Sequence, residues 1–192
     1  YEIASCLVGS EMCIRDRNLS GLEVETASDA KRAFVLKEIL SGEKKNTLQK
    51  YDNIFIDCPP SLSLLTIMSL VASDELLVPL QTEFFALEGI TQLVKTIDRI
   101  KENLNPSLAI RGILLTMFDK RNKLSGQVEF EARNYFKEKV YSTAVPRNVR
   151  LSEAPSHGIP VLQYDKICPG SKAYFKFTEE FLNQDKEVES AA

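Results

Sequence analysis

The residues of this 192-residue chain best placed to do chemistry are one carboxylate at the end of an apolar run and three arginines after two other such runs. Asp57 closes Asn53-Ile54-Phe55-Ile56-Asp57 and is followed at once by Cys58-Pro59-Pro60. A carboxylate at the end of a buried strand can reach Mg²⁺, directly or through water, as in phosphoryl transfer. It can equally help cap the helix that Ser61 opens, and spacing alone leaves both readings standing. Arg121, Arg147 and Arg150 fall in a basic stretch. From Arg111 to Arg150 there are nine Lys and Arg against four Asp and Glu, a net +5, whereas the remainder of the chain carries −8. Lysine and arginine neutralise phosphates without reading bases, which gives salt-dependent, sequence-independent affinity for nucleic acid. The alternative for Arg121 and Lys123 is a solvated loop beside Asp119.

Other reactive side chains point less clearly. His157 lies between Pro155 and Pro160, and no neighbour is nominated as the nucleophile or acid a catalytic histidine needs; it reads as a loop-fixing or surface residue. Cys6, Cys13, Cys58 and Cys168 form no CxxC pair, and with one histidine they make no zinc pattern. They read as reduced thiols of a cytoplasmic protein.

The elements that must position these residues alternate. Ser28 begins a helix that ends near Gly42, a residue suited to a helix C-terminus. Asn53–Asp57 is the first apolar strand, stopped by the prolines. A helix runs from Ser61 to Ala72, a strand over Glu75–Leu80 and a helix over Ala86–Asn103, with Ile90, Leu93, Val94, Ile97 and Ile100 on one face. Strand Ile110–Met117, helix Gln127–Lys139, strand Val140–Val145 and helix Gly170–Asn183 complete the series. Short apolar strands alternating with longer helices imply an α/β fold, a mostly parallel, doubly wound sheet with helices on both faces. Ligands in such sheets bind beyond the C-terminal strand ends, which directs attention to Asp57, Asp119 and the 146–150 loop.

Three segments are expected. Residues 1–17 lack period and cap logic, and their SCLVGSEMCIRDR run resembles a translated sequencing adapter, so they are set aside as foreign. Residues 18–183 form the domain. Residues 184–192 are a polar, acidic tail expected to be disordered. No apolar run approaches the roughly 20 residues of a membrane span.

Longer stretches carry more information than single residues. Tyr51 to Leu93, with Asp-Cys-Pro-Pro-Ser and Glu-Phe-Phe-Ala-Leu-Glu-Gly, resembles the ParA family of deviant-Walker P-loop ATPases. So do Arg111 to Arg121 and Val145 to Asp165, the latter with Pro-Arg-Asn-Val-Arg-Leu-Ser-Glu-Ala-Pro-Ser. The match, in order and at family spacing from about Leu19 to Phe181, points to the Soj chromosomal subgroup, with plasmid partitioning as the other role such a protein can serve. The resemblance implies binding of ATP and Mg²⁺, an ATP-dependent homodimer on non-specific DNA, nucleoid association, and a ParB-type partner that stimulates hydrolysis. It implies that Asp57 sits near Mg²⁺, through water, that Pro146 and Met117 lie beside the adenine, and that Arg121, Arg147 and Arg150 contact DNA.

The sequence departs from the family at one point. Its eight glycines include no Gly-Lys pair, so the KGGxGKT loop is missing, as are the leading strands and the water-positioning acid. The expectation is an N-terminally truncated chain with no catalytic residue of its own, inactive and binding neither ATP nor Mg²⁺ tightly; the parent protein binds both. A MinD-like membrane-associated ATPase is the alternative; it needs a basic amphipathic C-terminal helix, whereas this tail is acidic. A non-enzymatic DNA-binding fragment is the other.

Overall fold

Ile113 and Leu115 are completely buried and Leu114 nearly so, because they form the middle of a strand covered on both faces. This strand, β2 (Ala109–Phe118), lies between β1 (Glu75–Gln81) and β3 (Val140–Pro146) in the order β1-β2-β3. β2 and β3 are parallel, with Ile113 opposite Val140, Leu115 opposite Ala144 and Phe118 opposite Pro146. The computed structural model describes residues 31–42, 51–58 and 63–191. They fall into two compact units, one including Leu77–Thr91 and the described chain from Ile110 onward, the other including the described residues between 31 and 76 together with Gln92–Ala109.

In the first unit, α4 (Lys123–Phe136) links β2 to β3, and the long C-terminal helix α7 (Pro169–Ala191) covers β3. Between them lie α5 (Val149–Glu153) and α6 (Val161–Tyr164). Leu114, Tyr141, Val145 and Phe181 make the core beneath α7, joined by Phe177, whose ring meets Tyr141 edge-on at 4.8 Å. The Arg111 guanidinium lies 3.8 Å above the Phe181 ring and donates to the Phe181 carbonyl at 2.9 Å. Gly112 is required here, because a Cβ would enter the Tyr141 ring.

In the second unit, α1 (Val35–Ser41) packs beside α2 (Leu64–Ala72), whose Met68, Leu70 and Val71 are buried. Asn105, 1% exposed, donates to the Leu70 carbonyl at 3.0 Å and the Ser73 carbonyl at 2.8 Å, which closes the orphaned C-terminal turn of α2. Helix α3 (Ala86–Asn103) and β1 and β2 match the sequence reading closely.

Three expectations are corrected. Asn53–Asp57 is not a strand: no ladder of the described sheet includes it, and Ile54 and Phe55 are 51% and 72% exposed. An apolar run becomes a strand only beside a partner that takes its N–H and C=O groups. Helix α4 begins at Lys123, not Gln127, because the Asn122 side chain accepts the Leu124 N–H at 3.0 Å and starts it a turn earlier. The helix does end at Gly42 as expected: Gly42 follows Ser41 as the C-cap with φ −83°, its N–H donates to the Glu38 carbonyl at 2.8 Å, and a Cβ there would lie 2.9 Å from that oxygen. Helix α7 runs past Asn183 to Ala191. The expected helix starts at Ser28 and Ser61, and segment 1–17, lie outside the described residues.

Candidate functional site

Three strand ends meet in the first unit. β1 leads into Thr82 and Glu83, β2 into Asp119 and Arg121, and β3 into Arg147 and Arg150. The Arg147 N–H continues the β2–β3 ladder by donating to the Phe118 carbonyl at 3.0 Å. Just before that bond, Leu115-to-Phe118 on β2 is matched by Ala144-to-Pro146 on β3, one residue fewer, so β2 bulges. Met117 takes up the extra length with φ 53°, the left-handed region that costs a non-glycine residue energy.

Thr82 holds this bulge. It is 1% exposed, and its N–H donates to the Thr116 carbonyl at 3.0 Å. Its hydroxyl lies 3.3 Å from both the Thr116 and Met117 carbonyls and 3.2 Å from the Ser125 hydroxyl, three acceptors for one proton. Buried Ser125 donates to the Thr82 carbonyl at 3.2 Å. The pair ties the first turn of α4 and the end of β1 to the strained end of β2. Sequence reading missed both, since a lone Thr after a strand and a Ser inside a helix look unremarkable until they face one another.

Each of the three arginines is held by a carboxylate. Arg121 grips Asp119 through Nε at 3.1 Å and a terminal nitrogen at 3.0 Å. Arg147 meets Glu83 at 2.7 Å. Arg150 meets Glu153 at 2.8 Å and Asp165 at 3.5 Å. The side-chain hydrogen bond from Arg121, then its backbone N–H, bring the Asp119 carboxyl down to about 2, and the charge of Arg147 adds to this. The Arg150 guanidinium is correspondingly pushed up, first by its bond to Glu153. Lys120 and Lys123 are exposed in the same turn.

Of the residues expected to form a site, Met117, Pro146, Arg121, Arg147 and Arg150 thus belong to two adjacent strand ends and the loops that follow. Asp57 belongs to the other unit, on exposed chain. Among the described residues no three His, Cys, Asp or Glu cluster to enclose a metal. A single exposed carboxylate fits Mg²⁺, which keeps several waters and takes other ligands from phosphate. His157 stacks on Tyr164 at 4.8 Å in an exposed turn, in keeping with a loop-fixing residue. An open cleft of about 370 Å³, lined by Ile90, Ala132, Tyr135 and Phe136 among others, contains none of the expected site residues. No helix among the described residues is long and apolar enough to cross a membrane.

A family profile described as an AAA domain matches residues 3–110, a span that reaches into segment 1–17. The chain is 47% identical over 186 residues to the chromosome partitioning protein ParA of Caulobacter vibrioides, covering 97% of this chain and 69% of that protein. It is 48% identical over 168 residues to the chromosome-partitioning ATPase Soj of Treponema pallidum, covering 88% of this chain and 65% of that one. Among solved structures, cobyrinic acid a,c-diamide synthase from Mycobacterium smegmatis, with bound ADP and magnesium, superposes with a TM-score of 0.68 at 29% identity, over 88% of this chain and 60% of that one. With an α/β fold, a parallel sheet flanked by helices and this level of identity over nearly its whole length, the chain belongs to the ParA/Soj family of chromosome-partitioning ATPases.

Proposed function

We propose that these residues serve an ATP-dependent partitioning machine in three ways. Met117 and Pro146 lie beside the base of ATP, Asp57 holds Mg²⁺ through water, and Arg121, Arg147 and Arg150 bind the phosphates of non-specific DNA. In a partitioning ATPase that carries its phosphate-binding loop, ATP drives formation of a homodimer on the nucleoid in the cytoplasm, and a ParB-type protein triggers hydrolysis and release. Mg²⁺ would neutralise charge on the transferred phosphate; the chain's own residues would position the base and the DNA.

The observation that carries this reading is the junction of β2 and β3. Phe118 faces Pro146, and the Arg147 N–H bonds the Phe118 carbonyl. The strained Met117, Pro146 and all three arginines therefore belong to one C-terminal sheet edge, where α/β folds bind ligands. The reading is tested with 30-base-pair duplexes of unrelated sequence, titrated by fluorescence anisotropy across a salt series. Binding that is insensitive to sequence and falls steeply with salt supports it. Binding that is salt-independent, or confined to one duplex, overturns it.

A further inference from the structure

The arginines assigned to DNA do not stand ready for it. Their side chains are 91%, 60% and 52% exposed for Arg121, Arg147 and Arg150, yet each is already engaged by a carboxylate. The partners come from separate places in the fold: Glu83 after β1, Asp119 after β2, Glu153 in α5 and Asp165 after α6. Asp119 occupies the Nε edge of Arg121 with both oxygens, the fork that a phosphate would use. Exposed pairs of this kind add little to stability. Their effect therefore falls on what the arginines can bind.

We propose that Glu83, Asp119, Glu153 and Asp165 are in-chain competitors of DNA phosphate, so that DNA binds this face only by displacing carboxylates from Arg121, Arg147 and Arg150. The inference rests on the DNA reading above. Each phosphate contact releases cations condensed on the DNA, but a carboxylate displaced from its arginine takes cations back up, which lowers both affinity and salt dependence. Four carboxylates against three arginines leave the cluster without net positive charge of its own, and Lys120 and Lys123 supply the initial attraction. The arrangement suits a protein that must grip DNA reversibly rather than hold it, because each arginine that lets go of phosphate has a carboxylate within reach.

The test uses the full 192-residue chain and a 30-base-pair duplex, with anisotropy read at low salt and then across a salt series. Glu83→Gln, Asp119→Asn and Glu153→Gln keep side-chain shape and remove the charge. Each is expected to tighten binding about two- to five-fold, the range of an exposed pair, and to steepen the slope of log affinity against log salt by up to about one unit. Glu179→Gln, which removes the same charge from α7, is the control and is expected to leave binding unchanged. Equal tightening by Glu179→Gln overturns the proposal in favour of bulk charge. Unchanged or weaker binding in the three carboxylate variants, with Arg121→Ala and Arg150→Ala still weakening it, also overturns the proposal: the carboxylates then position the arginines, and the DNA reading survives. If the arginine variants bind as tightly as the parent, or no variant binds at all, the DNA reading fails and takes this inference with it.

Discussion

The carboxylate of Glu180 accepts the Ser142 N–H at 2.6 Å, and its second oxygen accepts the Thr143 N–H at 3.0 Å. β3 is an outer strand of the described sheet, so its far edge offers backbone donors with no ladder to receive them. Helix α7 supplies a charged acceptor there and so joins its own packing to the closure of the sheet. Glu180→Ala should lower the free energy of unfolding by about 1.5–3 kcal/mol, the range for hydrogen bonds to a charged group, measured by urea denaturation. A variant as stable as the parent would mean that water replaces the carboxylate at no cost.

The same contact predicts a pH dependence. Burial works to raise the Glu180 pKa, but the N–H groups of Ser142 and Thr143 outweigh it, and the net shift is downward from 4.5. A carboxyl whose folded pKa lies below its unfolded one contributes fully above the unfolded value and loses that contribution as pH falls through the folded value. Stability should therefore hold from neutral pH to about 4.5 and decline below it, and Glu180→Gln should flatten that decline. Thermal melts between pH 3 and 7 on both proteins read the difference directly.

Thr82→Val removes the hydroxyl that faces the Thr116 and Met117 carbonyls and leaves the Ser125 hydroxyl with one partner fewer. The expected loss is about 0.5–1.5 kcal/mol, the net value of one hydrogen bond, since the Thr116 carbonyl keeps the Thr82 N–H and Ser125 keeps the Thr82 carbonyl. Hydrogen exchange should quicken at the end of β2 around Met117. Unchanged protection there would mean that the bulge is held by the ladder alone.

Gly112→Ala drives a Cβ into the Tyr141 ring, the centre of the core under α7. Overpacking of this kind costs about 1–3 kcal/mol. The added variant Tyr141→Leu should recover part of that loss. If Gly112→Ala melts like the parent, the ring has room to retreat.

Arg121→Glu and Arg150→Glu should each weaken non-specific DNA binding and reduce the salt slope by about one unit per lost phosphate contact. Circular dichroism should be unchanged, because the pairs broken are at the surface. Normal binding and slope in both variants would remove this face from the DNA reading.

Phosphoryl transfer depends on positioning and charge stabilisation of the phosphates, and these 192 residues contain no Gly-Lys pair to provide it. Purified chain is expected to release no phosphate from Mg·ATP above background and to remain monomeric by light scattering with ATP present. Turnover abolished by Asp57→Ala would show that another segment of this chain cradles the phosphates.

Much of this protein is written locally. The apolar runs of β1, β2 and β3, the one-sided face of α3 and the motifs around Asp57, Arg121 and Arg150 are contiguous in sequence, so alternation, fold class and family were legible from it. Contacts between distant segments were not. Asn53–Asp57 has the hydrophobicity of a strand, but strand formation depends on a partner's backbone, and no described strand pairs with it. The bulge that gives Met117 its left-handed backbone follows from the mismatch between β2 and β3, which neither strand encodes alone. Thr82 meets Ser125 across 43 residues and Arg147 meets Glu83 across 64. Sequence by itself named the arginines. Only the folded chain determined that carboxylates already hold them, because Coulomb attraction and hydrogen bonding depend on distance in space rather than along the chain.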